Sequence, residues 1–337
     1  MKRTTRFLAA GAAMVMTTGL LVACGSSDDS DSEAVVVYSG RSEELVGPLI
    51  TRFDSNGMNL EVSYDRKATQ ILEEGQASPA DVFFAQDAGE LGRLSDAGLL
   101  AELPTDVTEV ADPQYRPGDN NWAPVTARSR VLAYNPDEIS EADLPAGIDG
   151  LLDPKFKGQI GYAPTNASFK SFVTALRVLR GEDGARDWLT KFLANDPQAF
   201  EKNGQILDAV NNGTVATGLI NHYYWAAAVM EKGEENVPSR LHFFADDAGS
   251  LVNVAGVGVL ESSPNKEQAF DVVRALLNDD SQRYFAEETG EYPIAVDVPL
   301  AVPGLPRLNE LSPPQLNLDD LADLDGTEQL LTQVGAL

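Results

Sequence analysis

The sequence predicts an α/β protein of two lobes, each a mixed, mostly parallel sheet flanked by helices, with a ligand cleft between them. Three observations carry that prediction. Apolar runs of strand length alternate with segments of helical period, the order that builds parallel sheets covered on both faces. The alternation breaks at residues 122–127 and restarts at Arg130-Val131-Leu132-Ala133-Tyr134, which divides it into two units. About 300 residues follow the leader, enough for two domains, and ligands favour the interface between domains.

The leader comes first. Residues 1–23 read as a targeting segment, with Lys2, Arg3 and Arg6 ahead of an apolar run that is short for a membrane span. It ends Leu21-Val22-Ala23-Cys24, the pattern at which bacterial lipoprotein precursors are cleaved. Cys24 is the only cysteine, so the chain holds no internal disulfide, and it is expected to carry acyl chains. Residues 24–33 form a polar tether with nothing to bury. The expected location is outside the cytoplasmic membrane, held to it by lipid.

In the first unit, residues 34–38 form a strand and 39–42 a turn. A helix follows over 43–53, with Ser42 as N-cap and Glu43 and Glu44 in its first turn. Pro48 is expected to kink or delay it. Strands at 60–64 and 81–84 enclose a helix at 67–75, and a further helix carries Leu91 and Leu94 and ends near Gly98. The second unit has strands at 130–134, 159–162 and 215–220. Its helices are one carrying Phe169, Phe172, Val173 and Leu176, a second at 182–194 and a third at 205–213. Strands at 241–244 and 252–259 come next, then helices at 265–278 and 280–289. Residues 293–314 read as an extended proline-rich connector, and 321–334 as a helix interrupted at Gly326. The chain shows no internal repeat. The boundaries expected are 34–128 with 252–300 for the first lobe, and 129–251 with 301–337 for the second.

The charge is −27, and no basic run is interleaved with aromatics, which disfavours nucleic acid as a partner. Such acidity attracts cations diffusely without making a metal site. No G-x-S-x-G or H-E-x-x-H motif is present, and the lone cysteine is expected to carry lipid, so hydrolytic chemistry is disfavoured too.

The stretch richest in chemistry is Leu219-Ile220-Asn221-His222-Tyr223-Tyr224-Trp225, at a strand-to-helix junction. Neighbouring side chains point to opposite faces of a strand, whereas the first residues of a helix can aim two adjacent phenols at one point. A deprotonated phenol is a hard oxygen donor and suits a hard cation. Taken alone, the pair reads as packing rather than ligation, each hydroxyl finding a partner.

Five segments change that balance. They are Val37-Tyr38-Ser39-Gly40-Arg41, Ser78-Pro79-Ala80-Asp81-Val82-Phe83-Phe84, Arg128-Ser129-Arg130-Val131-Leu132-Ala133-Tyr134-Asn135, Ala163-Pro164-Thr165-Asn166-Ala167-Ser168-Phe169 and Asn221-His222-Tyr223-Tyr224-Trp225. In this order the chain resembles the ferric-binding protein family, the iron-binding solute receptors of bacterial ABC importers, over the whole mature length. The resemblance implies a periplasmic-binding-protein fold of type II, with two lobes, crossover strands and a hinge. It implies that Tyr223 and Tyr224 bind Fe³⁺ as phenolates. Where the family often supplies a histidine and a glutamate, this chain has Ser42 and Gln86, which become possible members of the metal shell.

The resemblance also implies a bridging anion on the turn Asn166-Ala167-Ser168, which opens a helix whose amides form an anion site. Asn203 and Asn221 join as polar donors. Arg128 and Arg130 are candidates to neutralise the anion, with Arg41 a weaker one. Carbonate, phosphate and citrate all fit, since Fe³⁺ with two phenolates keeps one positive charge. Displacing each phenol proton at pH 7 opposes binding by roughly 4 kcal/mol. His222 and His242 are the only histidines, and His222 is expected to support the site from outside it. The implied partner is an ABC permease, the protein itself monomeric and not an enzyme. The alternative on the same fold is an organic or phosphorylated solute, or a ferric chelate.

Overall fold

The computed structural model describes residues 34–295 and 298–337; the leader, Cys24 and the tether lie outside the described residues. The first elements follow the apolar pattern. β1 (Val35–Ser39) is an almost wholly buried run, and α1 (Glu43–Ser55) buries the stripe Val46, Leu49, Ile50 and Phe53. Pro48 does not delay α1, which starts at Glu43. The carbonyl that the proline leaves unpaired is that of Glu44, an exposed first-turn residue open to water. β2 (Leu60–Ser63), α2 (Ala68–Glu74), β3 (Val82–Ala85) and α3 (Ala88–Asp96) come next, then a one-turn helix, α4 (Thr105–Thr108).

β4 (Trp122–Tyr134) is one continuous strand, buried at every residue, so the break expected at 122–127 is absent. A strand covered on both faces shows no alternation, and this one also carries an irregularity between Pro124 and Thr126. Both features hide it in the sequence.

The chain then forms β5 (Ile160–Tyr162), α5 (Ala167–Ala194), β6 (Gln198–Ala199), α6 (Asn203–Asn211), β7 (Thr217–Asn221) and α7 (His222–Lys232). Within α5 the two expected helices abut at Gly181, whose φ of 69° only glycine adopts freely. β8 (Arg240–His242) is shorter than expected; β9 (Val252–Val259) has its expected span. α8 (Lys266–Leu277) and α9 (Asp279–Tyr284) follow, the latter running into a π-turn at Phe285–Thr289. The proline-rich connector is not wholly extended: it opens in β10 (Tyr292–Pro293) and contains a 3₁₀ turn at Leu308–Glu310.

The C-terminal helix breaks at a different place from the one expected. A 3₁₀ turn at Leu318–Ala322 precedes α10 (Leu324–Gln333), and Gly326 lies inside α10. The Gly326 N–H donates to the Asp323 carboxylate at 2.9 Å, so the cap at Asp323 separates the two segments.

The strand order is β2-β1-β3-β9-β4-β7-β5-β6, with β10 and β8 also paired to β4. β1 runs parallel to β2 and β3, and β5 parallel to β7 and β6, while β4 and β9 run antiparallel to their neighbours. Along β4 the partner changes from β9, through Ser129, to β7, from Arg130 onward. One strand thus belongs to the sheets of both lobes, and the residues at its crossover reach the cleft. The second lobe is braced by an aromatic cluster, in which Trp188 stacks on Phe192 at 4.9 Å and Phe169 lies 5.3 Å from Tyr162. This packing fixes α5, whose first turn faces the site.

Candidate functional site

α7 begins on the residue after β7, so Tyr223 and Tyr224 are its second and third residues. Their rings stack, with centroids 4.4 Å apart and planes 29° from parallel. Both line a cavity of about 260 Å³ at the crossover. Burial, then the neighbouring Tyr224 and the Glu291 carboxylate, push the Tyr223 phenol well above its ordinary range, while Arg128 works the other way. Tyr223 therefore keeps its proton at neutral pH unless something of higher charge replaces it.

Ser42 and Gln86 line the same cavity from the first lobe. Ser42 stands at the N-cap of α1 with no capping bond from its side chain, and Gln86 follows β3 directly. The opposite wall is the start of α5, where Asn166, Ala167 and Ser168 line the cavity. Asn166 Oδ1 accepts from the Ser168 amide at 3.0 Å and from its hydroxyl at 2.7 Å. Asn203 Nδ2 donates to Ser168 Oγ at 2.9 Å and to Asn166 Oδ1 at 3.2 Å, reaching the wall through these two residues. Asn221, the last residue of β7, lines the cavity beside the tyrosines.

The arginines divide their labour. Arg130 is buried in the wall, donating to Ser168 Oγ at 3.0 Å and to the Leu219 carbonyl at 2.9 Å. Burial lowers its pKa to about 9, with Tyr224 and Tyr223 opposing, so it stays charged at pH 7. Arg128 is also buried and lines the cavity, with its Nε and Nη1 lacking a hydrogen-bond partner. Arg41 is committed elsewhere: its Nη2 donates to both oxygens of the buried Glu291 carboxylate, at 2.9 and 2.8 Å. Thr126 Oγ1 donates to that carboxylate at 3.2 Å, and Arg128 Nε lies 3.9 Å from it.

His222 points away from the cavity. It is fully buried, its Nδ1 accepts from the Ser129 amide at 3.2 Å, and its ring stacks on Tyr292 at 4.3 Å. Burial depresses its pKa to about 3, so it is a neutral support under the first turn of α7.

Sequence reasoning missed Asp87 and Asn253, both of which line the cavity. Asp87 caps α3, accepting from the Glu90 amide at 3.3 Å, and its other oxygen accepts from Ser171 Oγ on α5 at 3.4 Å. Its pKa is raised, chiefly by burial, with Arg128 pulling it down. The signal was present in Asp87-Ala88-Gly89-Glu90, the pattern of a capped helix start. Asn253 Oδ1 accepts from the Ala88 amide at 3.2 Å, a contact that only the sheet order creates. Among the described residues no group of three His, Cys, Asp or Glu side chains is placed to hold a metal. The charged cavity offers instead two phenols, two guanidinium groups and a helix N-terminus, a set suited to a hard cation accompanied by an anion.

Two lobes sharing a crossover strand, with a polar cavity at the crossover, define a solute-binding protein. The family model for bacterial extracellular solute-binding proteins matches residues 77–317. The major ferric iron-binding protein of Neisseria meningitidis serogroup B is 35% identical over 308 residues, covering 89% of this chain and 92% of that protein. Iron-bound HitA from Pseudomonas aeruginosa superimposes with a TM-score of 0.82 at 36% identity, over 90% of this chain and 99% of that one. A Trichodesmium protein (IdiA, FutA) solved with iron and citrate gives 0.76 at 26% identity, over 90% and 99% of the two chains. The chain belongs to the bacterial extracellular solute-binding proteins, and within them to the ferric-binding proteins.

Proposed function

We propose that this protein captures ferric iron in the interlobe cleft, with Tyr223 and Tyr224 as phenolate ligands and an exogenous anion completing the shell. The observation that carries the reading is the stacked tyrosine pair on one cavity wall, facing a helix N-terminus and two buried arginines. A relative named for ferric iron, at 35% identity, and one solved with iron bound, at 36%, support it. The anion rests on Asn166, Ala167 and Ser168, with Asn221 and the free Nη1 of Arg128 as donors, Arg130 as a fixed charge and Asn203 holding the turn. Ser42 and Gln86 are neutral, so they add no charge to offset the metal. Carbonate, phosphate or citrate supplies it.

The rest of the reading concerns the cell. The first lobe comprises 34–128 with 252–300, and the second 129–251 with 301–337. Cys24 carries the lipid anchor, and the loaded protein docks as a monomer on an ABC permease. A second reading keeps the fold and places a phosphorylated or organic solute in the cleft. The guanidinium groups and the α5 N-terminus favour it, because both recognise anions without a metal.

Substitution separates the two. Tyr223→Phe and Tyr224→Phe each remove one phenolate while keeping the ring, so iron affinity is expected to fall at least 100-fold, about 2.7 kcal/mol, with the apo melting temperature nearly unchanged. Loss of apo stability with iron binding intact contradicts the assignment and makes the pair a packing feature.

A further inference from the structure

The cleft walls are carried by two helices, and one segment of chain touches both. α3 starts directly after Gln86 and Asp87; α5 starts directly after Asn166. The C-terminal 3₁₀ turn and α10 lie along them. On the α3 side the approach is backbone to backbone. A Cβ at Gly89 would sit 2.5 Å from the Leu321 carbonyl oxygen, and one at Gly92 would sit 3.1 Å from the Ala322 Cβ. At Gly89, where the neighbour is backbone, only glycine permits that contact; at Gly92 the neighbour is a side-chain methyl. Leu321 is fully buried there, and the polar links are peripheral: Arg93 to Asp325 at 3.2 Å, with Asp325 70% exposed, and the Gly118 amide to Asp319 at 2.8 Å.

The α5 side is held differently. Thr174 and Thr327 share a buried hydroxyl–hydroxyl bond at 2.7 Å. Arg177, largely covered, donates to the Asp323 carboxylate at 2.7 Å, the Asp323 carbonyl at 3.0 Å and Thr327 Oγ1 at 3.1 Å. Lys170 pairs with Glu328, and Leu330 and Leu331 are fully buried. Buried, directional bonds resist separation, whereas exposed ion pairs add little and apolar faces slide.

We infer that residues 318–333 form a strap that travels with α5 and has to part from α3 when the cleft opens. Its contacts span both walls, so separating α3 from α5 must break one of its two faces, and the buried directional bonds all lie on the α5 face. The strap therefore sets how readily cargo leaves. The inference rests on the cleft being the binding site; it does not depend on which solute fills it.

The Gly92–Ala322 approach gives a direct test, because a Cβ separation of 3.1 Å is a few tenths of an ångström short of that in a disulfide. The full chain carrying Gly92→Cys and Ala322→Cys in a Cys24→Ser background is compared oxidised and reduced. Iron release to a competing chelator is expected to slow at least tenfold on oxidation and to recover with dithiothreitol. In small-angle scattering, the metal-free reduced protein is expected to be larger than the metal-free oxidised protein. Equal release rates, or equal radii in the two redox states, overturn the strap. If neither state binds iron, the ferric reading fails while the two radii still decide the strap.

Discussion

Ser42, which bears a hydroxyl, and Gln86, which bears an amide, line the same cavity as the tyrosines. Gln86→Glu keeps the side chain's shape and adds a charge; Ser42→His adds a nitrogen donor. Together they raise the protein ligands proposed for iron from two to four and lower the charge left on the metal by one. Iron affinity is expected to rise and its dependence on added carbonate, phosphate or citrate to weaken. Iron titrations with and without each anion, in the original protein and the double variant, check this; an unchanged anion dependence means these side chains do not meet the metal. At this scale most of the candidate site was legible. Tyr223 and Tyr224 stood at a strand-to-helix junction, readable from local pattern, whereas the turn Asn166-Ala167-Ser168 came from the family resemblance. Asn253 and Glu291 were not legible, because their partners, Ala88 and Arg41, lie far away in sequence and are brought together only by the sheet order.

At the scale of elements, α3 contains a half-buried acid with a measurable signature. Burial, followed by the Asp87 carboxylate, raises the Glu90 pKa from 4.5 to about 8. The native state thus keeps a proton that the unfolded chain has lost above pH 4.5. That contribution to stability is full below pH 4.5, declines as pH rises and is gone above about pH 8. Glu90→Gln imitates the protonated acid at every pH. It is expected to flatten the fall in stability over this window, by about 1.4 kcal/mol per pH unit, as measured by urea unfolding across the range. A variant whose stability falls with pH as steeply as the original contradicts the burial assignment. The elements themselves were largely readable. The exceptions have physical causes: β4 is buried on both faces and loses alternation, and at the C terminus the Asp323 cap outweighs the glycine that follows it.

At the scale of the whole molecule, the alternation of strands and helices was visible in the sequence, whereas the division was drawn at a break that the continuous β4 does not contain, and the crossover between lobes came only from the family resemblance. The acidic body and the leader make a separate claim about place. Cys24→Ser removes the residue proposed to carry lipid and leaves a polar tether with nothing to hold a membrane; two acyl chains suffice for stable anchoring. Processed mutant protein is expected in the soluble fraction of the cell culture, and membrane retention after confirmed leader cleavage contradicts the anchor. The central claim is ferric iron on two phenolates. Its most direct test is the visible absorption spectrum of the protein purified from its own cells, with metal analysis of the same sample. A tyrosinate-to-iron band giving an orange-red colour, with one iron per chain, is the result the account predicts. A colourless protein that stays colourless when ferric iron and carbonate, phosphate or citrate are supplied would contradict it.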